Sequence, residues 1–188
     1  MKKIIFGFII LKGAMLNAFS IRLAEPNDNN ALARIHYISW QKAYLGVHSK
    51  TFYEQQDESS FVTYWNNYFE HPKLGSFVLV ATQEEEIIGF VSAGSIQEKS
   101  SYGDNHDCEL YKLYIVPEAQ GLGLGKHLLN ECKKTLQELN YKKMIIRAIK
   151  ENIPSCIFYE KQGGASIGER ICLIDETVHE IFYSFVLD

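Results

Sequence analysis

Three glycines at alternate positions mark the segment of this chain with the clearest chemical meaning. Residues 120–126 read QGLGLGK and stand between a short apolar run, residues 113–116, and a segment with leucines at helical spacing. A glycine loop that leads into a helix directs several backbone N–H groups at one point, with the positive end of the helix dipole behind them. The sequence therefore predicts a phosphate or pyrophosphate site at residues 120–126.

The spacing of this loop separates the known kinds of phosphate site. A Walker A loop requires Ser or Thr after its lysine, whereas His127 follows Lys126. A dinucleotide fingerprint requires GxGxxG, whereas the spacing here is GxGxG. A Gln/Arg-x-x-Gly-x-Gly/Ala loop, which holds the pyrophosphate of coenzyme A, matches Gln120, Gly123 and Gly125. A glycine-rich turn that binds nothing is the remaining alternative.

Two segments together resemble the GCN5-related N-acetyltransferase (GNAT) superfamily. Residues 109–125, ELYKLYIVPEAQGLGLG, are similar to that family's fourth strand and coenzyme A loop. Residues 152–164, NIPSCIFYEKQGG, are similar to its N-x-x-[AS]-x-x-x-Y-E-K-x-G-F segment, except that Gly164 stands where the family usually carries Phe. The resemblance extends over residues 20–188 and implies an acetyltransferase that uses acetyl-coenzyme A and no metal.

The resemblance also implies where the cosubstrate binds. The backbone of residues 121–126 is expected to hold the pyrophosphate, and the backbone of Ile115 and Val116 to pair with the pantetheine amides as an extra strand would. Asn152 is expected to contact the pantetheine arm, to cap a helix, or both. The full set of predicted cofactor-binding residues is Tyr114, Ile115, Val116, Gln120, Gly121, Leu122, Gly123, Leu124, Gly125, Lys126, Asn152, Ser155 and Tyr159.

Acetyl transfer to an amine needs a proton donor for the thiolate and an acceptor for the amine proton. Tyr159 is the expected general acid, because a phenol with an ordinary pKa of about 10 is protonated at neutral pH; a packing role is the alternative. Glu109 is the expected general base, directly or through a water, on the strand face that it shares with Leu113 and Ile115. A solvated charge at a strand end is its alternative, and Cys108 on the opposite face argues against a covalent intermediate.

The acceptor side is expected near the junction of the first two helical segments. Trp40, Tyr44 and His48 lie there, and the resemblance implies that this junction lines the acceptor pocket. The acceptors of similar proteins range from polyamines to small amines and peptides. A formal net charge of −4 argues against a nucleic-acid-binding surface and agrees with a cationic or amine substrate.

The hydrophobic pattern predicts one α/β domain with a single mixed, mostly antiparallel sheet. The resemblance implies that two central parallel strands splay apart and admit the pantetheine arm. Strands are expected at residues 19–24, 76–82, 87–96, 108–116, 143–149, 165–174 and 178–187, with bulges at the glycines of the third. Helices are expected at residues 30–45, 49–69, 121–140 and 153–161.

The N-terminus does not fit this domain. Residues 1–18 form an extension in which an apolar run follows two lysines, and the domain proper is expected at residues 19–188. A start at Met15, a signal or membrane anchor, and an additional structural segment all remain open. The dispersed cysteines indicate buried free thiols in a reducing compartment, and we expect a cytoplasmic protein that is a monomer or a homodimer. A non-catalytic acyl-coenzyme A sensing domain is the alternative function.

Overall fold

One seven-stranded sheet organises the part of the chain that the computed structural model describes, residues 19–97 and 105–187. Its strands lie in the order β1-β2-β3-β4-β5-β7-β6, and every neighbouring pair is antiparallel except β4 and β5. The mixed, mostly antiparallel sheet predicted from the sequence is confirmed. The strands are β1 (Ser20–Leu23), β2 (Phe77–Gln83), β3 (Glu86–Ser95), β4 (Cys108–Ile115), β5 (Lys143–Ile149), β6 (Ala165–Ile171) and β7 (His179–Val186).

Five α-helices flank the described sheet. They are α1 (Asn29–Tyr44), α2 (Lys50–Glu54), α3 (Glu58–Glu70), α4 (Leu124–Glu138) and α5 (Ile153–Lys161). The single helical region predicted over residues 49–69 is two helices, because Asp57 caps a new helix by accepting a hydrogen bond from the Ser60 amide at 2.9 Å. The helix predicted from residue 121 begins at Leu124, since Gly121 and Gly123 have positive φ angles.

Apolar side chains are buried on both faces of the sheet. On one face, Leu128, Leu129 and Leu136 of α4 pack with Val91 and Met144 in a single cluster. On the other face, α1 and α3 bury a second cluster that contains Leu32, Trp65, Val80 and Phe90. Because each helix presents an apolar stripe to its own face, the sheet is held rigidly between two layers.

A β-bulge in β4 reverses which side chains share a face. Ser92 pairs with Lys112 and Ala93 pairs with Leu110, so Tyr111 is an extra residue without a partner on β3. Leu110 and Leu113 consequently join the same apolar cluster, whereas a regular strand would place them on opposite faces. The prediction that Glu109 shares a face with Leu113 and Ile115 is therefore wrong.

Of the two bulges expected at the glycines of β3, one is present beside Gly89, and Gly94 has a different role. The register with β2 shifts beside Gly89, where Ile88 is the extra residue. The second irregularity lies in β4 and not at Gly94. A Cβ added to Gly94 would stand 2.6 Å from Ser76 Cα, so this glycine permits a close approach of two chain segments.

The two parallel strands separate after a short contact. β4 and β5 pair at only three positions, from Cys108 with Met144 to Leu110 with Ile146, although both strands continue. Beyond Leu110, the edge of β4 that faces β5 is therefore open. This opening confirms the splayed centre predicted for the sheet.

The predicted extension at residues 1–18 lies outside the described residues. Within residues 19–97 and 105–187, no helix combines the length and the hydropathy that a membrane span requires.

Candidate active site

The glycine loop has the geometry of an anion-binding helix N-terminus. Gly121 and Gly123 have φ angles of 76° and 86°, and a Cβ at either position would meet nothing within 4 Å. Positive φ, and not lack of space, therefore requires glycine at both. The first bonds of α4 are those of the Lys126 and His127 amides to Gly123 O, so the amides of residues 124 and 125 precede the hydrogen-bonded turns.

Gly125 serves a different purpose from the two glycines before it. A Cβ at this position would lie 3.3 Å from both Ile115 Cδ1 and Phe158 Cε2. A glycine here therefore lets α4 pack closely against β4 and α5.

A cavity of about 730 Å³ extends from this loop along the open edge of β4 to α5. Leu122 and Leu124 are absent from its wall, since Leu122 is exposed to solvent and Leu124 is buried in the core. Val116 is also outside its lining. The predicted cofactor-binding residues that line this cavity are Tyr114, Ile115, Gln120, Gly121, Gly123, Gly125, Lys126, Asn152, Ser155 and Tyr159.

The backbone of Ile115, but not that of Val116, is directed to this cavity. The Val116 N–H donates to Ile88 O of the neighbouring strand at 3.0 Å, so the expectation that it pairs with a ligand is wrong. Since strand amides alternate in direction, the Ile115 amide lies on the opposite, open edge. The Ile115 carbonyl accepts hydrogen bonds from Gln120 Nε2 at 2.9 Å and from Ser39 Oγ at 3.1 Å.

Asn152 precedes the first turn of α5, Tyr159 lies in its last turn, and both side chains line the cavity. Asn152 caps this helix, because its Oδ1 accepts a hydrogen bond from the Ser155 amide at 3.3 Å, which confirms the capping prediction. Tyr159 is almost fully buried. Burial, followed by the neighbouring Tyr44, raises the pKa of Tyr159, so its phenol keeps its proton throughout the neutral range.

A second cavity of about 630 Å³ lies between the sheet and helices α1 to α3. Trp40, Tyr44 and His48, the predicted acceptor residues, all line it. The His48 ring stacks on Trp40 with centroids 5.7 Å apart. Further aromatic rings, those of Phe52, Phe61 and Tyr64, complete this wall.

The two cavities share one group of residues at their boundary. These residues are Tyr44, Leu110, Tyr111, Lys112, Tyr114 and Arg147. Burial raises the pKa of Tyr44, while the nearby Tyr114 hydroxyl and Asn152 side chain lower it in part. Because this group lines both cavities, a molecule in either cavity can contact its polar side chains.

Asp175 fixes His48 in the wall of the second cavity, and no local sequence pattern indicates this pair. His48 Nδ1 lies 3.0 Å from Asp175 Oδ2, and both side chains are less than 5% exposed, at 3% and 4%. Burial raises the pKa of Asp175, but hydrogen bonds from Thr177, Ser49 and His48 outweigh it and hold that pKa well below its ordinary value. Because 127 positions separate the partners, only the fold brings them together.

Glu109 lies on the sheet floor of the second cavity, on the face opposite to the apolar cluster that packs against α4. Its Oε1 accepts hydrogen bonds from the Arg147 guanidinium at 2.9 Å, and its Oε2 accepts one from the backbone N–H of Gln97 at 3.2 Å. The residue is 3% exposed. Glu109 is thus a buried, paired carboxylate, and the alternative of a solvated strand-end charge is wrong.

Two further expectations concern cysteines and metals. All four cysteines are free and buried, which confirms the prediction of buried thiols. Cys108 belongs to the α4 side of the sheet, on the opposite face from Glu109. Among the described residues, no three His, Cys, Asp or Glu side chains gather as a metal site would require.

The loop, the splayed strands and the paired cavities occur in a chain that matches a known family model. The model described as "Acetyltransferase (GNAT) family" matches residues 33–164, which include β4, the glycine loop and Tyr159. The chain belongs to the GNAT family of acetyltransferases. The GNAT resemblance predicted from residues 109–125 and 152–164 is therefore confirmed.

Relatives and solved structures agree with this membership. The GNAT chain is 25% identical over 150 residues to the uncharacterised N-acetyltransferase YuaI of Bacillus subtilis, covering 80% of this chain and 82% of the relative. It is also 25% identical over 149 residues to a spermidine N(1)-acetyltransferase of Thermoplasma acidophilum, covering 78% and 88%.

Two solved structures share the fold at low sequence identity. A GNAT-family acetyltransferase from Desulfovibrio desulfuricans superposes with a TM-score of 0.70 at 17% identity, covering 91% of this chain and all of that one. The PaiA N-acetyltransferase of Thermoplasma acidophilum, in complex with coenzyme A, gives 0.66 at 21% identity, covering 89% and 99%.

Proposed function

We propose that this GNAT protein transfers the acetyl group of acetyl-coenzyme A to a primary amine of a small molecule or peptide. The observation that carries the proposal is the meeting of two cavities at Tyr44 and Tyr114, one bordered by the glycine loop and the other by aromatic rings. A donor and an acceptor can thus lie side by side without a covalent relay through the protein.

The first cavity fits coenzyme A in charge and in shape. The amides of residues 124 and 125 precede the hydrogen-bonded turns of α4, where a pyrophosphate is stabilised. Lys126 lines the same cavity and adds a positive charge. The open Ile115 amide suits an amide-bearing arm, which would extend the sheet as an additional strand. When bound, the cosubstrate supplies an acetyl thioester for attack by the amine.

Tyr159 and Glu109 are the proposed proton donor and proton acceptor. The attack forms a C–N bond and breaks the C–S bond, so the sulfur gains an electron pair and needs a proton. The Tyr159 phenol, protonated and close to the junction of the cavities, donates it. The Glu109 carboxylate already accepts hydrogen bonds from the Arg147 guanidinium and from the backbone N–H of Gln97. Glu109 therefore takes the amine proton through a water.

The test is amine-dependent release of coenzyme A from acetyl-coenzyme A, followed with a thiol reagent. Polyamines, amino acids, aminoglycosides and peptide N-termini form the panel, and calorimetry measures acetyl-coenzyme A binding in parallel. Release with at least one amine supports the proposal. Binding without release favours the alternative, a non-catalytic acyl-coenzyme A sensing domain, and absence of binding contradicts the assignment of the glycine loop.

A further inference from the structure

We infer that the acceptor carries an anionic group, a carboxylate close to its amine, and that the Lys112 ammonium binds this group in the second cavity. The inference rests on the proposed function and specifies its substrate class as α-amino acids with apolar or aromatic side chains. It follows from how charges and rings are distributed around this cavity.

Among the residues that the structure describes, the charged side chains on the cavity floor are three cations and two carboxylates. Lys112 and Glu109 on β4, Arg147 on β5, Glu180 on β7 and Arg170 on β6 all line it. Glu109 pairs with Arg147 at 2.9 Å, and Glu180 pairs with Arg170 at 2.6 Å. Each carboxylate of the floor is thus matched by a guanidinium, and Lys112 is the additional charge.

Lys112 has no carboxylate within 4 Å among residues 19–97 and 105–187. Its ammonium instead lies over the Tyr64 ring, 4.3 Å from the centroid. A cation–π contact stabilises an ammonium less than a desolvated carboxylate does. The Lys112 ammonium is therefore directed at the cavity with its strongest type of partner missing.

The pKa of Lys112 agrees with an ammonium that lacks a carboxylate partner. Burial lowers its pKa to about 8, Glu109 raises it in part, and Arg147 and Lys73 lower it further. Burial likewise lowers the pKa of the facing His36 on α1 to about 2, so that side chain adds no charge of its own. A bound carboxylate would favour the charged form of Lys112 and restore its pKa toward the ordinary value.

A polycationic acceptor does not fit these surroundings. After its reacting amine is neutralised, spermidine keeps two ammonium groups, which would meet the cation excess of the floor. The aromatic wall offers them little compensation, because Trp40 already stacks on His48 and Tyr53 and the Tyr64 ring already carries Lys112. This chain is thus expected to differ from its spermidine-acetylating relative in acceptor.

The same wall suits an apolar side chain. Phe52, Phe61 and Trp40 present ring surface to the cavity, and apolar surface is favourably removed from water there. Lys112 lies at the boundary of the two cavities on the same floor as Glu109. A carboxylate on Lys112 therefore leaves the adjacent α-amine near the junction, where transfer must occur.

The experiment compares each amino acid with its amide, which differs from it only in the carboxylate, and includes spermidine as a polycationic acceptor. Initial rates with acetyl-coenzyme A are measured for L-phenylalanine against L-phenylalaninamide, for L-leucine against L-leucinamide, and for spermidine. We expect kcat/KM, corrected for the neutral fraction of each amine, to be at least about 10-fold higher for the acids, as one charge-assisted contact would give.

Variants assign the preference to Lys112. Lys112→Met should abolish the difference between acid and amide, mainly through KM of the acid, whereas Lys112→Arg should retain it. Lys50→Met is the matched control, because the Lys50 side chain is 85% exposed and lies outside both cavities. The control should keep the wild-type preference.

Three outcomes would contradict the inference. Equal or better turnover of the amides or of spermidine overturns it and leaves the acetyltransferase proposal intact. An equal effect of Lys112→Met on acid and amide shows that Lys112 does not bind the carboxylate, and overturns it as well. If no amine is acetylated although acetyl-coenzyme A binds, the proposed function itself fails, and the inference fails with it.

Discussion

Tyr159 combines burial in the core with access to the first cavity. Its ring extends from α5 into the apolar cluster, 5.9 Å from the Tyr183 ring, while the residue also lines the cavity. Burial raises its pKa, so the phenol is protonated at neutral pH. The residue proposed as general acid thus carries the proton that this role requires, although tyrosine as a residue type is common in the chain.

Tyr159→Phe should bind acetyl-coenzyme A normally and lose turnover. Removing a general acid lowers kcat by about 10²-fold or more, while the ring that packs in the core remains. Calorimetry and steady-state kinetics measure the two effects separately. Tyr183→Phe is the matched control, because Tyr183 lies in the same cluster and donates to Glu160 at 3.2 Å but lines neither cavity. Wild-type turnover by Tyr159→Phe would remove this residue from the mechanism.

At the scale of elements, the glycine loop shows how backbone conformation prepares a site. Gly121 and Gly123 hold positive φ angles so that α4 begins beside the cavity, and no neighbouring atom restricts them. A side chain at these positions would strain the backbone without a clash. Loop geometry and packing around the loop are therefore separable by mutation.

Gly123→Ala should destabilise the protein by about 1 kcal/mol and also weaken acetyl-coenzyme A binding, since φ of 86° disfavours an L side chain. Thermal unfolding and calorimetry provide the two measurements. Gly163→Ala has a matched φ of 91° and equally open space, and should show the stability loss alone. Equal binding losses in both variants would mean that the loop conformation has no specific role.

Asp175 is the corresponding anchor for two loops of the second cavity. It accepts hydrogen bonds from the Ser49 amide at 2.9 Å and from Thr177 Oγ1 at 2.6 Å, in addition to its contact with His48. The loop after α1 and the loop between β6 and β7 are thus joined through one carboxylate. The position of His48 in the wall depends on this connection.

Asp175→Asn should lower the free energy of unfolding at pH 7 by about 1–3 kcal/mol, because hydrogen bonds to a charged group are replaced by neutral ones. The folded-state pKa of Asp175 is depressed, so its contribution is present above the unfolded pKa of about 3.9 and is lost as pH falls through the folded value. In denaturant titrations from pH 7 to pH 3, the difference in free energy of unfolding between the two proteins should be constant down to about pH 4 and should narrow below it.

Asp57→Asn is the control for this pH dependence. Asp57 is an exposed helix cap, and asparagine caps helices about as well as aspartate does. A smaller stability change is therefore expected. A difference between wild type and Asp175→Asn that stays constant down to pH 3 would contradict the role assigned to the Asp175 charge.

At the scale of the whole molecule, the two cavities meet beside the splayed strands, at residues that line both of them. A donor bound along β4 and an acceptor bound against α1 would contact each other at the shared residues. Cys108, the candidate nucleophile for a covalent relay, lies in the core on the α4 side, and burial raises its pKa. The position of Cys108 therefore supports the proposed direct transfer in a ternary complex.

Initial-velocity patterns test this arrangement. Varying acetyl-coenzyme A at several amine concentrations should give intersecting double-reciprocal lines, as both substrates must be present together. Cys108→Ala should keep the pattern and a kcat within about 3-fold of wild type, since a modest cavity in the core affects mainly stability. Parallel lines, together with loss of activity in this variant, would establish a covalent intermediate instead.

Much of the site was predictable from local sequence. The loop at residues 120–126, the cap at Asn152 and the order of strands and helices depend on residue types and spacings that act over a few positions, where glycine freedom, capping and hydrophobic periodicity operate. The GNAT family could be identified from two such segments. The overall net charge of −4, in contrast, gave no indication of the cation excess around Lys112.

The tertiary structure alone decided which side chains share a face and which distant residues meet. The bulge at Tyr111 arises from pairing between β3 and β4, and it places Glu109 on the face of the second cavity, opposite to Leu113 and Ile115. The contact between His48 and Asp175 spans 127 positions and exists because two loops meet over the sheet. Strand register and loop closure are set by long-range packing, which no local pattern encodes.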